Sequence, residues 1–590
     1  MVITKNNIGG DRLRIKRISI NNYRNLDGIC INFHPINNFI VGENNLGKSN
    51  LLDLFNILYN FNSFRVEDFA NIDEPIRIEM TLSLFETEKG LFNDLFDPEE
   101  SDNINIIAVQ DTVDSIIIFK HLETDTIISN SLIKCVNYIN YNSLRLPNTE
   151  LNFDRNRGVG KFLGHLISKY LDSQETSDID FIKTEELDGL LDYINRNLIK
   201  IKSFNDFSIH ANLDKDIKNL LSKVVVLADS NNFDLKDVGS GIQFLSMITL
   251  TIFEKILNMN KTRLEKSVMQ NEDGENCIPI ILGLDEPEIH LHPHMQRSLI
   301  KNLIRIIENK DSNFSDLLNT IFDIDNVMGQ IIATTHSPNI LTNDYKKIIR
   351  FYEGSGHKLN VKSGIDIRME AEIEKHLLAQ FAYIKEAFFA RSVIIVEGDS
   401  EFSSIPIFAE KLEIDFDYLG ISIIKASGAN SVIPIKDLLE SFGIKSIGII
   451  DQDKYKESYR AIDNIYHTLG KDFEEDIVNT LIDKGKIEVL REIVCEYDVM
   501  GSERTLEENA LNKRIKKYNL DIPDVMCPYK IADAEINDKD MAKLIYLTWL
   551  DINKTIILGR IIGYSLEKED IPTVYIDAIK KAKELLENVE

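Results

Sequence analysis

This chain of 590 residues is short of basic side chains: 67 Lys and Arg stand against 95 Asp and Glu, a formal net charge of −28. Phosphate contacts supply most nonspecific affinity for nucleic acid, so such a chain cannot hold it by overall charge. A role on DNA would need a local basic patch, divalent cations that screen the carboxylates, or a partner. Cysteine is scarce as well. Cys30, Cys135, Cys277, Cys495 and Cys527 are scattered with no CxxC pair, which argues for reduced thiols and against a disulfide framework or a zinc ribbon. Apolar runs of about eighteen residues, the length a membrane helix needs, do not occur. Residues 1–20 carry no apolar signal core. These absences predict a cytoplasmic protein without a membrane segment. Internal repeats and low-complexity tracts are missing too.

What is there reads as an α/β protein. Hydrophobic content of 43% and charged content of 27% are ordinary for globular chains, and the length suggests roughly three to five domains. An alternating segment with Leu13, Ile15, Ile18 and Ile20 leads to Asn22-Tyr23-Arg24-Asn25-Leu26. Strand 38–41 then runs into a glycine loop and an amphipathic helix from Leu51, the order of a βα phosphate-binding unit. Residues 86–225 show no catalytic pattern and read as an insertion with a helical dimerisation surface. Strands and helices alternate again over 226–366, with 278–284 and 330–334 as buried strands of parallel type. A connecting helix at 367–390 precedes a second α/β block, with strands at 392–396, 421–425 and 446–450. The expected division is therefore 1–85, 86–225, 226–366 and 367–590.

The first constellation is an ATP site. Gly42-Glu43-Asn44-Asn45-Leu46-Gly47-Lys48-Ser49 matches the P-loop at every fixed position. Its backbone N–H groups, around Asn44 and Gly47, would turn inward on the phosphates; Lys48 would reach them and Ser49 would ligate Mg²⁺. The apolar run 280–284 ends in Asp285-Glu286-Pro287: Asp285 would hold Mg²⁺ through water and Glu286 would polarise the attacking water. Strand 330–334 ends in Thr335-His336-Ser337-Pro338, placing His336 where ABC ATPases carry a switch histidine. Gly239-Ser240-Gly241-Ile242-Gln243 opens an apolar helix and offers N–H donors and a hydroxyl to an anion; it is similar to a compressed ABC signature loop. Such a loop completes the ATP site of another head, so a dimer is expected. His290, His292 and His294 suit a turn better than a metal site, because no carboxylate or cysteine stands at matching spacing.

The second constellation is acidic. Strand 393–396 delivers Glu397-Gly398-Asp399-Ser400-Glu401, and strand 448–450 ends in Asp451-Gln452-Asp453. Glu397, Glu401, Asp451 and Asp453 would make an all-oxygen site for Mg²⁺ or Mn²⁺, since such like charges packed without a cation would be pushed toward protonation. Farther on, Arg504-Thr505-Leu506-Glu507 offers Glu507 for a second metal, with an acidic helix start as the alternative. Lys554, in Asn553-Lys554-Thr555, is the candidate to stabilise a phosphoryl transition state; an ordinary surface lysine is the alternative, and Lys580 and Lys581 are its rivals.

In this order the motifs resemble the overcoming-lysogenisation-defect (OLD) nuclease family, from Ile15 to Ile579. Gabija-type defence nucleases and retron-associated OLD-type effectors share the layout. The resemblance implies an ABC-type P-loop ATPase head with a helical dimerisation insertion, followed by a TOPRIM α/β domain. It implies ATP-site roles for Lys48, Ser49, Ser240, Asp285, Glu286 and His336, with Asn44, Gly47 and Gly241 in the same loops. It also implies metal-ligand roles for Glu397, Glu401, Asp451, Asp453 and Glu507 in a two-metal nuclease, with Lys554 as the basic residue. Gln452 between the aspartates and the glycine-poor Ser427-Gly428-Ala429 depart from the pattern without removing a ligand. The expected activity is ATP-regulated, metal-dependent DNA endonuclease in antiviral defence. The expected partners are DNA, a second copy or a higher even-numbered assembly, and a helicase or reverse transcriptase. The competing readings are an ATP-switched scaffold that docks an effector, and an SMC-like repair ATPase, which the lack of sustained heptads in 85–225 disfavours.

Overall fold

The computed structural model describes residues 14–84, 92, 95, 102–141, 166, 184–200, 210–213, 225–228, 240–259, 264–265, 267–270, 274–289, 291–498, 505–518, 529–530, 536 and 538–587. The chain divides into two units, residues 1–352 with 359–366, and residues 353–358 with 367–590.

The first unit is built on two sheets. Strand β1 (Arg14–Asn21) buries Ile15, Ile18 and Ile20, and pairs antiparallel with β2 (Ile29–Asn32) on one side. Six buried residues in sequence make β3 (Asn37–Gly42) a central strand of the other sheet, and it leads into α1 (Lys48–Asn60). β4 (Ile76–Ser83), β5 (Asn103–Gln110), β6 (Ile118–His121) and β7 (Ile127–Ile128) complete the antiparallel sheet in the order β2-β1-β4-β5-β6-β7. β8 (Tyr138–Tyr141) crosses to the second sheet. Then come α2 (Thr184–Leu198), the hairpin β9 (His210–Leu213) with β10 (Val225–Ala228), and α3 (Ser240–Leu257). β11 (Met269–Gln270), β12 (Asn276–Asp285), α4 (Pro293–Ile307), α5 (Ser312–Phe322), β13 (Asn326–Thr334), β14 (Ile348–Glu353) and β15 (Leu359–Ser363) finish the unit. The second sheet runs β11-β12-β13-β3-β14-β15, with β8 beside β12. Its pairs β8–β12, β12–β13, β13–β3 and β3–β14 are parallel.

One apolar cluster joins both sheets to α1. Leu51, Phe55 and Leu58 of the helix pack with Ile20 and Ile78 of the antiparallel sheet and with Ile40 and Ile332 of the parallel one. Within the stretch read as an insertion, residues 103–141 contribute strands to both sheets, and Thr184–Leu198 is helical. β5 to β7 extend the antiparallel sheet, and β8 lies in the parallel one.

The second unit begins with α6 (Ala371–Ile384), which is tied to it by His376, whose Nε2 lies 2.6 Å from the Ser431 hydroxyl. Four strands form a wholly parallel sheet in the order β17-β16-β18-β19: β16 (Ser392–Val396), β17 (Ile421–Lys425), β18 (Lys445–Ile450) and β19 (Ile465–His467). α7 (Asp399–Lys411) follows β16 and α8 (Ala429–Ser441) follows β17. The rest is mostly helical: α9 (Phe473–Asp483), α10 (Ile487–Asp498), α11 (Glu508–Tyr518), α12 (Lys539–Ile552), α13 (Ile556–Ser565) and α14 (Thr573–Glu587). Between α10 and α12 a short antiparallel pair, β20 (Thr505–Leu506) and β21 (Tyr529–Lys530), interrupts the helices. No helix among the described residues is long and apolar enough to cross a membrane.

Candidate functional site

At the first unit's loop ends, β3 runs out at Gly42 and the chain turns into α1 through Gly47, whose φ is +86°. A Cβ there would come within 2.5 Å of the Asn25 side chain, so both conformation and space call for glycine. Lys48 is buried and folds back on the loop, donating to Gly42 O at 3.0 Å and Glu43 O at 2.6 Å. Burial pushes its ammonium down to about 8, against the pull of Glu286, Asp285 and Glu43. Ser49 Oγ donates to Asp285 Oδ1 at 2.9 Å, and the Thr334 hydroxyl donates to the same oxygen at 2.7 Å. The head of α1 and the ends of β12 and β13 thus meet on one carboxylate.

Glu286 takes a positive φ of 45°, and its N–H donates to the Thr334 hydroxyl at 3.1 Å. Its Oε1 lies 3.2 Å from His336 Nε2. Burial first, and then the charge of Lys48, hold the His336 ring below the usual imidazole range, against Glu286 and Asp285. Glu288 belongs to none of the motifs singled out in the sequence. One of its oxygens accepts from His336 N–H at 2.7 Å and from the Thr335 hydroxyl at 2.8 Å, and burial raises its carboxyl. Asn44 is exposed on the loop. Ser240 and Gly241 begin α3, but the Ser240 side chain and Gly239 lie outside the described residues. His292 and His294 stack at the head of α4 with centroids 6.1 Å apart; His290 lies outside the described residues.

At the carboxyl edge of the second unit's sheet, Glu397 follows β16 and Asp451 follows β18, the adjacent strand. Asp451 N–H donates to Glu397 Oε1 at 2.8 Å. Glu401 stands in the first turn of α7, buried. α9 adds two carboxylates that the motif reading did not include, Asp472 at its N-cap and Glu474, both buried. Ser400 Oγ donates to Glu474 Oε1 at 3.0 Å. Lys554 lies between α12 and α13, with its Nζ 2.6 Å from Glu474 Oε2, 3.1 Å from Asp551 Oδ1 and 3.5 Å from Asp472 Oδ2.

Burial, with Glu397, Asp472 and Glu474 adding their charges, pushes the Asp451 carboxyl up to about 8. Burial, Asp451 and Glu474 push Glu401 well above the carboxylate range. Burial also raises Glu397 and Glu474. For Asp472 burial works upward too, yet Lys554 and Lys517 outweigh it and hold that carboxyl low. Lys554 is raised in turn: Glu474 and Asp472 overcome the burial that opposes its charge. Asp453 lies two residues beyond Asp451, 3.5 Å from Lys454. Glu507 is exposed ahead of α11, where no hydrogen bond or ion pair among the described residues ties its carboxylate to this group. Arg504 lies outside the described residues, and Lys581 pairs with Glu584 on α14 at 3.0 Å.

Among the described residues, no three His, Cys, Asp or Glu side chains already converge on a metal position. In chemistry the donor set nevertheless fits a hard divalent cation. It is all oxygen, and its buried carboxyls resist ionising side by side, a strain that a cation relieves.

Residues 14–157 and 160–341 match the AAA ATPase domain family, and residues 388–453 match the overcoming lysogenization defect protein-like TOPRIM domain. The chain belongs to the AAA ATPase domain family, with an OLD-like TOPRIM domain in its second unit. Endonuclease GajA of Bacillus cereus strain VD045 is 23% identical over 622 aligned residues, 96% of this chain and 94% of that one. The OLD nuclease of Thermus scotoductus is 22% identical over 490, covering 76% and 83%. With endonuclease GajA of Bacillus cereus strain HuB5-5 the identity is 22% over 304 residues, 46% of this chain and only 40% of that relative's length.

Within the ATPase domain the structure brings together Lys48, Ser49, Asp285, Glu286 and His336, and adds Thr334 and Glu288. Within the TOPRIM unit it brings together Glu397, Glu401, Asp451 and Lys554, and adds Asp472 and Glu474. Thr334 directly precedes Thr335-His336 in sequence, and Glu288 lies two residues beyond Glu286. Their signal is closeness to a motif end, and nothing in it tells a buried hydrogen-bonding partner from a cap.

Proposed function

We propose that this chain is an ATP-regulated, divalent-metal-dependent DNA endonuclease that acts in antiviral defence together with a partner protein. The observation that carries the reading is the buried carboxylate group at the carboxyl edge of a parallel sheet, where open α/β sheets take their ligands, in a chain that also holds a complete P-loop. Its relatives named as endonucleases and as an OLD nuclease support the activity. Glu397, Glu401 and Asp451 would hold Mg²⁺ or Mn²⁺, with Asp453 and Glu474 at their margin. The bound cations would supply an activated water and charge stabilisation of the leaving oxygen. The chain's own residues do the remaining work. Asp451 N–H fixes the Glu397 carboxylate, the Ser400 hydroxyl fixes Glu474, and Lys554 keeps a positive charge at the cluster, where negative charge would develop on a phosphoryl group.

In the first unit, Lys48 would exchange its loop carbonyls for nucleotide phosphates. Ser49 and Asp285 would hold Mg²⁺, with Glu286 and His336 facing the terminal phosphate. Ser240 and Gly241 would complete the site of a second copy, which makes the working form a homodimer or a larger even-numbered assembly. Cytoplasmic placement follows as part of the same reading. The alternative, an ATP-switched scaffold whose second unit restrains an effector, is favoured by one observation, that the carboxylates do not converge as they stand. Plasmid DNA incubated with the full chain and Mg²⁺ or Mn²⁺, with and without ATP, separates the two. Nicking or linearisation that EDTA abolishes supports the nuclease, and the ATP lanes give the sign of the coupling. An intact plasmid under every condition supports the scaffold.

A further inference from the structure

The loop that joins β18 to β19 leaves the sheet at Asp451, beside Glu397, and returns at Ile465. It contains Lys454-Tyr455-Lys456-Glu457-Ser458-Tyr459-Arg460, three cations alternating with two aromatics, in a chain whose net charge is −28. Such a run is the local exception that an acidic protein needs if it is to hold a polyanion.

The rings are already gathered. Tyr455 lies 4.5 Å from the His467 ring at a tilt of 47°, and Tyr459 meets Tyr455 edge-on at 5.8 Å. Lys456 Nζ stands 5.6 Å from the centre of the Tyr459 ring. Both tyrosines are half-buried, so part of each ring stays in solvent, while Lys454, Lys456 and Arg460 are exposed. Lys454 is turned to the carboxylates, 3.5 Å from Asp453 and 4.0 Å from Glu397. Arg460 reaches Glu457 at 3.9 Å, with both side chains more than three-quarters exposed. A pair that loose in water is worth little, and it yields readily to a phosphate.

We propose that this loop is the strand-binding element of the TOPRIM site: an unpaired DNA base stacks on Tyr455, and Lys456 and Arg460 hold the neighbouring phosphates. The proposal rests on the DNA-cutting reading of the second unit and deepens it. Aromatic platforms between cations are how proteins hold single strands without sequence preference. The position beside Glu397 and Asp451 would bring an opened strand's backbone to the carboxylates. A loop that only packed against the sheet would need the rings but not the exposed cations between them.

The test is the anisotropy of a labelled single-stranded oligodeoxynucleotide titrated with the full chain, with Ca²⁺ replacing Mg²⁺ and salt varied. Tyr455→Ala is expected to weaken binding roughly five- to a hundredfold, whereas Tyr455→Phe, which keeps the ring, restores it. Lys456→Ala with Arg460→Ala should reduce the slope of log affinity against log salt by about 1.4. Lys375→Ala with Lys445→Ala removes exposed lysines on α6 and at the amino end of β18, and should leave the slope alone. No oligonucleotide binding by the unaltered chain overturns the proposal. So does binding by Tyr455→Ala within about twofold of it, or an unchanged slope in the Lys456/Arg460 variant. Binding through the loop without any plasmid cleavage would sink the nuclease reading and leave the loop standing. Plasmid cleavage with unaffected loop variants would sink the loop alone.

Discussion

Lys554→Met is the substitution whose cost the structure lets one work out. Asp472 and Glu474 are each 2% exposed at their side chains, and Lys554 is the cation they share. Methionine keeps most of the stem and removes the ammonium. Asp472 would keep Lys517 and the Tyr518 hydroxyl, the latter at 2.9 Å. Glu474 would keep the Ser400 hydroxyl, a neutral donor. Breaking a buried pair typically costs about 3–5 kcal/mol. Lys554 is 36% exposed, so water already screens part of the interaction, and Glu474 can escape by taking up a proton. The expected loss is therefore about 2–3 kcal/mol. Adding Glu474→Gln removes the stranded charge and should return about 1–2 kcal/mol of it. Urea unfolding of the full chain in EDTA reads this through Trp549, the chain's one tryptophan, which is buried in the second unit and edge-on to Tyr497 at 5.4 Å. The midpoint should fall with the slope unchanged. A single variant within about 0.5 kcal/mol of the parent, or a double variant as unstable as the two singles combined, would show that Lys554 does not stabilise the buried Glu474 charge.

Gly559→Val should disturb the same region by sterics, because a Cβ at Gly559 would lie 2.1 Å from Ser403 Oγ and 2.3 Å from Ser400 O. The overpacking is expected to cost about 1–3 kcal/mol by Trp549 unfolding, and parent-like stability would show that α13 can back away from α7 freely. Lys48→Ala should weaken binding of a fluorescent ATP analogue by roughly ten- to a hundredfold; unchanged binding would mean that this loop does not hold phosphate. His34 is buried, its ring accepts from Ile36 N–H, and burial pushes it down to about 4. The unfolded chain takes up that proton first, near pH 6.5, so stability is full above that pH and falls by about 3 kcal/mol as pH drops toward 4. An NMR titration midpoint for His34 near 6.5 would contradict this.

The parts that could be read in the sequence are those encoded by neighbours along the chain. The strand, glycine turn and helix from Asn38 to Phe55 form one local unit, and Val393–Glu401 form another, so both could be placed before any tertiary contact was known. Long-range pairing was not legible. β5 (Asn103–Gln110) pairs with β4 across a stretch of unrelated residues, and β8 lies beside β12, which is far away in sequence; nothing local marks either partner, and the region read as an insertion. Asp472 and Glu474 were missed for another reason. Asp472-Phe473-Glu474-Glu475-Asp476 looks like the solvated acidic start of a helix, and only the fold shows it turned inward against Ser400 and Lys554. Glu507 was legible only as an acid of the right type, and its exposure came from the structure.

On the proposed reading, phosphodiester cleavage takes place on the carboxylates around Asp451, and the P-loop only regulates it. The most direct measurement compares plasmid cleavage by the unaltered chain, Lys48→Ala, and Asp451→Ala with Asp453→Ala, in Mg²⁺ or Mn²⁺ with ATP analogue binding measured alongside. The aspartate variant is expected to bind nucleotide normally and cut nothing, while Lys48→Ala loses nucleotide and changes only how cutting responds to ATP. Cleavage that survives in the aspartate variant would contradict that reading.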